Sequence, residues 1–281
     1  LPGFEHVAQV DYHGDREPGE TTAEYSTRRA EELEALISGQ PMGSIAAMIA
    51  EPVSFSAGFK LPPPEYFPAI TSVLAAHGIE LVIDEVITGF GRTGNLFGSE
   101  TLGLNPAHVA IAKGITSGYF PLSAIGLGRD LYDALEAGSD KIGTLAHAST
   151  FAAHPVGAAA ALKVMEIIER DKLVEHASVM GDRLATGLAE FAAHPLVGDI
   201  RSLGLGAGID FLRRDDMDCI INTDADEILT AVYQALLELG VVARPAGRSI
   251  VIAPPLVIQG SEIDEIVLRI GKALDVVQAR T

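Results

Sequence analysis

Apolar residues along this chain recur with two periods, and the switches between them mark out its elements. Residues 1–20 read as loop, broken by Pro2, Gly3, Gly14, Pro18 and Gly19. Thr21-Thr22-Ala23-Glu24 then has the form of a capping box, and Tyr25, Leu33, Leu36 and Ile37 fall on one helical stripe that Gly39 stops. Residues 45–50 form a short apolar run ending at Glu51-Pro52, which predicts a strand. Pro62-Pro63-Pro64 opens a second helix with Phe67, Ile70, Val73 and Leu74 on one face and Gly78 at its end. Residues 79–83 are the next strand. Strand, helix, strand is a βαβ unit, so the two strands should be parallel. Further strands are expected at 108–112 and 123–128.

Beyond Pro155 the order changes. Helical patterns cover 156–170 and 173–193, and a strand pattern covers 205–212. Thr223-Asp224-Ala225-Asp226 caps a helix ending at Gly240, short strands are expected at 241–244 and 249–253, and Ser261-Glu262-Ile263-Asp264 caps a final amphipathic helix. The expected organisation is an α/β domain over residues 1–165 and a smaller α+β domain over 166–281. No internal repeat or low-complexity tract interrupts it.

Two strand ends carry chemistry. The run at 108–112 delivers Lys113, followed at once by Gly114, and the run at 79–83 delivers Asp84-Glu85. Ligand sites in parallel α/β sheets lie beyond the carboxyl ends of strands. Alone, Asp84 reads as the cap of a loop and Lys113 as a solvated strand end. Together they supply what an aldehyde cofactor with a pyridine ring needs. Among the lysines only Lys113 directly follows a buried-looking strand, and partial desolvation there is expected to favour a neutral, nucleophilic amine.

Gly89-Phe90-Gly91-Arg92-Thr93-Gly94 matches G-x-G-x-x-G, but no helix pattern begins there and no acid stands about 20 residues on, so it is not read as a dinucleotide site. Its glycines are expected to turn a loop tightly beside a ligand. His147 and His154 fit no zinc-protease pattern, and no G-x-S-x-G elbow occurs.

Charge and composition narrow the classes. A formal net charge of −18 over 281 residues argues against a nucleic-acid partner. The single cysteine, Cys219, leaves no intrachain disulfide and no Cys-rich metal site, and suits a reducing, cytoplasmic setting. No apolar stretch approaches the roughly 18 residues of a membrane span. The chain opens without methionine or a signal-type segment, and is expected to begin partway through a longer protein.

Three long motifs then occur in order: Asp84-Glu85-Val86-Ile87-Thr88-Gly89-Phe90-Gly91-Arg92-Thr93-Gly94, Ala112-Lys113-Gly114-Ile115-Thr116-Ser117-Gly118-Tyr119-Phe120-Pro121-Leu122-Ser123-Ala124, and His147-Ala148-Ser149-Thr150-Phe151 with His154-Pro155. Glu51-Pro52 and Arg244-Pro245 add shorter matches. Together they resemble the class III aminotransferases of ω-transaminase type, which use pyridoxal 5′-phosphate (PLP). The resemblance implies an α/β PLP fold type I (aspartate aminotransferase-like) chain, with part of a large, mostly parallel-sheet domain and a C-terminal α+β small domain.

It also implies roles. Lys113 would anchor the cofactor covalently and carry the proton. Asp84 would pair with the pyridine nitrogen, and Val86 would pack on the ring, although its side chain equally suits ordinary core. Ser149 and Thr150 would bind the cofactor phosphate of a neighbouring subunit, in a homodimer or homotetramer. Arg244 would receive a substrate carboxylate and swing aside for an uncharged amine; the bland alternative is a surface arginine at a strand end.

Two departures qualify these implications. Ser56 stands where many relatives acting on ornithine or 4-aminobutyrate carry the glutamate of Gly-Glu-Ala-Gly, and Phe55 adds apolar bulk beside it. The family's N-terminal phosphate-cupping segment has no match before residue 40, so a fragment that binds PLP weakly or not at all is expected. The implied reaction moves an amino group from an ω-amino acid or primary amine to a keto acid, pyruvate first. An aminomutase or decarboxylase on the same scaffold, or a catalytically incomplete fragment, are the alternatives.

Overall fold

The computed structural model describes residues 3–145, 147, 149–211 and 224–280; Cys219, Thr223 and the expected strand end at 212 lie outside these. Among the described residues the strands form two sheets. In the first, β1 (Ala47–Ala50), β2 (Glu80–Asp84) and β3 (His108–Ile111) run parallel, and β4 (Ala124–Gly126) joins β3 antiparallel.

A single turn, α1 (Tyr12–Asp15), sits within the segment expected to be loop. That segment is held by tertiary contacts that local sequence does not reveal: the Asp11 N–H donates to the Tyr25 hydroxyl at 2.9 Å, and the Asp11 carboxylate meets Lys60 at 3.0 Å and Arg248 at 3.1 Å. Helix α2 (Thr22–Ser38) starts at the expected capping box. Thr21 Oγ1 accepts the Glu24 N–H at 3.3 Å, and the Glu24 carboxylate accepts the Thr21 N–H at 2.9 Å. Its buried face, with Tyr25, Leu33 and Ile37, packs on Phe67, Ile70 and Leu74 of α3 (Tyr66–His77), which Gly78 ends in a left-handed conformation. Leu81 and Ile83 of β2 complete this core. The outer strands are less covered: Ile49 on β1 is 58% exposed and Ile125 on β4 is 65% exposed.

The chain continues through the short α4 (Gly98–Thr101) and α5 (Arg129–Ile142), an amphipathic helix that buries none of its residues. Helix α6 (Pro155–Arg170), within which residue 165 lies, packs Ala161 and Ile168 against Phe90, Ile115 and Leu173.

The second sheet is antiparallel throughout, in the order β5-β6-β8-β7, built from β5 (Val197–Leu203), β6 (Gly206–Phe211), β7 (Arg244–Ala246) and β8 (Ser249–Ile252). Helices α7 (Leu173–Ala189), α8 (Asp224–Glu238) and α9 (Gly260–Gln278) cover it, and Leu184, Leu188, Phe211, Leu236, Ile263 and Leu274 are among its most buried side chains. Helix α9 begins just before the expected cap, because the Glu262 carboxylate reaches back to the Gln259 N–H at 2.8 Å. Among the described residues, no helix is long and apolar enough to cross a membrane.

Candidate active site

Asp84 ends β2, and Glu51 and Lys113 stand just past the carboxyl ends of the neighbouring parallel strands β1 and β3. Asp84 is half-buried, and its Oδ1 accepts the Val86 N–H at 2.9 Å. Its neighbour Glu85 has a different fate. Fully buried, it accepts the N–H groups of Gly98 at 2.9 Å and Ser99 at 2.7 Å and the Thr88 hydroxyl at 2.5 Å. Those donors sit at the start of α4, so Glu85 is spent on holding the loop. Asp84 alone is left to face a ligand.

Lys113 opens a 3₁₀ turn (Lys113–Ile115) with φ of 41°. The side chain is exposed and makes no hydrogen bond or ion pair among the described residues. The expected desolvation is therefore absent here. β3 buries only His108 fully, and its remaining residues are half-buried. Gly114 is required next to it: a Cβ there would lie 2.9 Å from the Phe90 ring and its Cβ.

The glycines of the 89–94 loop turn it tightly, with φ of 96° at Gly91 and 88° at Gly94, and they also allow close contacts between elements. A Cβ at Gly91 would lie 3.5 Å from Val174 and 3.6 Å from Leu256, and one at Gly94 would lie 3.4 Å from Ser178. Arg92 donates to the carbonyls of Leu205 at 2.8 Å and Pro254 at 2.6 Å, and its own carbonyl accepts the Leu205 N–H at 3.0 Å. Burial pushes the Arg92 guanidinium down to about 10, which still leaves it charged at neutral pH. The loop thus joins the second sheet to the turn that carries Lys113.

Arg244 opens β7 and is exposed, with no hydrogen-bond or ion-pair partner among the described residues. The loop carrying Ser56 abuts this sheet. Gly58, with φ of 103°, leaves so little room that a Cβ would come within 2.9 Å of the Ala246 carbonyl oxygen. Ser56 is exposed, while Phe55 turns inward and meets the Phe59 ring edge-on at 4.6 Å. Phe55 therefore packs inward, in a cluster that includes Val251, the register partner of Arg244. Val86 is half-buried. Ser149 and Thr150 are exposed between α5 and α6, their hydroxyls unengaged among the described residues, and no contact brings them to Lys113. His154 caps α6, its Nδ1 accepting the Val156 N–H at 3.2 Å.

Sequence reasoning missed a buried ionic cluster behind this surface. Asp210 on β6 is completely buried; it accepts from Arg201 at 2.6 Å, from Arg248 at 2.8 Å and from the Ser249 hydroxyl, with Lys60 at 3.6 Å. Burial alone would raise its carboxyl, but the Arg201 hydrogen bond, reinforced by the Arg201 and Lys60 charges, holds it well below the ordinary carboxylate range. Arg201 also donates to the Gly58 and Phe59 carbonyls, both at 3.0 Å, tying the Ser56 loop to the second sheet. The one local signal was Arg201 in an otherwise mixed strand pattern. Among the described residues no cluster of His, Cys, Asp and Glu could hold a metal ion.

Comparison with known proteins bears on this arrangement. The family model for class III aminotransferases matches residues 2–274. An uncharacterized aminotransferase of Sinorhizobium fredii is 40% identical over 281 residues, covering 98% of this chain and 59% of the relative. A chloroplastic gamma-aminobutyrate transaminase of Solanum lycopersicum is 37% identical, covering 92% of this chain and 49% of the relative. The crystal structure of the omega transaminase from Pseudomonas jessenii in complex with PMP superposes with a TM-score of 0.94 at 36% identity, covering 98% of this chain and 60% of that one. The chain thus spans 49% to 60% of the length of these proteins.

Proposed function

Because this chain belongs to the class III aminotransferases, whose members work with PLP on a fold type I α/β scaffold, we propose that it moves an amino group from an ω-amino acid or primary amine to a keto acid, pyruvate first. The observation that carries this reading is the unpaired Lys113 amine beside the anchored Asp84 carboxylate at one end of parallel strands.

The residues present fit part of the cofactor. PLP, when bound, supplies a protonated pyridine ring that draws electron density away from the substrate carbon. Asp84 would hold the proton on the ring nitrogen, with its carboxylate oriented by the Val86 N–H, and Val86 would lie against the ring. Lys113 Nζ would hold the aldehyde carbon and, once released, carry a proton to and from the substrate carbon. Ser149 and Thr150, exposed and unengaged, are suited to donate to the phosphate of a neighbouring copy, which makes the working unit a homodimer or homotetramer. The same reading divides the chain into a partial cofactor-binding domain and a small domain, with the division inside α6.

The donor side rests on Arg244. Its planar fork suits a carboxylate. Ser56 offers it no ion pair, so it is free both to meet a carboxylate and to leave for an amine. Ser56 leans away from enzymes acting on ornithine or 4-aminobutyrate and towards ω-amino acid or amine:pyruvate types; the Pseudomonas relative is called an omega transaminase, whereas the tomato relative is named for gamma-aminobutyrate. An aminomutase or decarboxylase would use Lys113 and Asp84 equally, and product analysis with β-alanine, an arylalkylamine and pyruvate separates them from a transaminase.

The test is cofactor trapping. The chain is mixed with PLP, reduced with borohydride and mapped by peptide mass spectrometry. The expected result is a single label on Lys113 that disappears in Lys113→Ala. Label scattered over several lysines would sink the assignment.

A further inference from the structure

The end of β1 carries a carboxyl that the proposed reaction does not use. Ala50 pairs in register with Ile83, so Glu51 stands beside Asp84. Neighbouring strands are about 4.8 Å apart, and residues in register on parallel strands project to the same face. Lys113 leaves the next strand across.

Glu51 is also held. The Ser54 hydroxyl donates to Glu51 Oε1 at 2.8 Å. Ser54 is itself buried and fixed by its backbone, donating to the Lys60 carbonyl at 3.0 Å and accepting the Lys60 N–H at 2.9 Å. Partial burial pushes the Glu51 carboxyl up from its ordinary range. The Ser54 hydroxyl opposes this, the Asp84 charge adds to it, and the Lys113 charge and the Phe55 N–H oppose it. Neighbouring carboxyls cannot both ionise freely, so their protons are coupled.

Resting on the reading of Asp84 and Lys113 as the cofactor site, we propose that Glu51 is a positioning residue whose proton is exchanged against positive charge at Asp84. With no cation at Asp84, Glu51 retains its proton more readily and limits the negative charge at the strand ends. A pyridinium nitrogen against Asp84 would loosen the Glu51 proton, so that over the pH range in which Glu51 titrates the O–H bond breaks, the proton leaves to solvent, the carboxylate remains and no electrons are transferred. Linkage makes the effect reciprocal: a proton on Glu51 weakens cation binding at Asp84 by the same factor that the cation weakens the proton. Ser54 fixes the distance over which this coupling acts.

The test begins with the chain free of cofactor. Carboxyl-¹³C-labelled glutamate is incorporated, and the Glu51 resonance, identified by its loss in Glu51→Gln, is followed through a pH titration. Asp84→Asn should lower the Glu51 midpoint by about 1 pH unit, since a like charge is removed. Lys113→Met, at an exposed side chain, should raise it. The same midpoint in both variants and the unaltered chain would overturn the proposal.

A second arm uses PLP itself. Calorimetric titration at the Glu51 midpoint found in the first arm, in two buffers of different ionisation heat, counts protons released per PLP bound, and Glu51→Gln should release fewer than the unaltered chain. Equal counts would also overturn the coupling. A chain whose Glu51 midpoint follows Asp84 and Lys113 but which takes up no PLP would support the proton coupling and count against the cofactor reading.

Discussion

At the scale of single residues, Asp84 and Glu85 are adjacent carboxyls with opposite employment. Glu85 satisfies the N–H groups of Gly98 and Ser99 in a site closed to water. Removing it would orphan buried donors, each costing about 1–3 kcal/mol. Glu85→Ala should therefore lower stability by about 2–4 kcal/mol in urea unfolding. Asp84→Asn keeps an oxygen for the Val86 N–H and should change stability by less than about 1 kcal/mol. A reversed order of these effects would move the functional assignment from Asp84 to Glu85. The positions of Asp84 and Lys113 were legible in the sequence because a strand end is a local pattern. The exposure of Lys113 was not, since it depends on what covers the sheet. Nor was the role of Arg92, whose acceptors lie 113 and 162 residues away in the chain.

At the scale of elements, α2, α3 and the parallel strands followed from periodicity and caps, because each buries one apolar face. Two elements escaped for physical reasons. β5 turns Arg201 inward to an ionic partner, so its buried positions are not all apolar. α5 buries nothing in the described chain, and no core residue anchors it. The turn between β5 and β6 makes a test of how the elements dock. Gly204 has φ of 52°, and a Cβ there would sit 2.2 Å from the Thr93 carbonyl carbon. Backbone cannot rotate away as a side chain can. Gly204→Ala should cost about 2–3 kcal/mol, from overpacking added to left-handed strain. Amide exchange should quicken in the 89–94 loop as well as at the turn. Faster exchange confined to the turn would show that the loop does not depend on this contact.

At the scale of the whole molecule, the Asp210 cluster ties together the N-terminal segment, the Ser56 loop and the second sheet through Asp11, Lys60, Arg201 and Arg248. Its carboxyl is held below its unfolded-state value, so the sign of its pH dependence follows directly. The contribution is complete above about pH 5, begins to fall as pH drops through 3.8, and is lost at still lower pH as the folded-state carboxyl protonates. Asp210→Asn removes the innermost carboxylate, leaving Arg201 with Asp199, and Lys60 and Arg248 with Asp11, and should cost about 3 kcal/mol at neutral pH. The stability gap between the two chains, read from urea midpoints, should narrow between about pH 5 and pH 3. A constant gap would mean that the cluster does not govern acid unfolding.

The uncovered outer strands of the first sheet have a consequence of another kind. Among the described residues no further strand pairs with β1 or β4, where Ile49 and Ile125 are exposed, and such edges invite lateral growth of the sheet from one molecule to the next. The net charge of −18 opposes that growth by repulsion between molecules. Salt shortens the repulsion to about 10 Å at 0.1 M and about 3 Å at 1 M, without weakening strand pairing to the same degree. The chain's acidity thus acts as its colloidal protection, and dilute buffer, not physiological salt, is the medium in which it best stays dispersed.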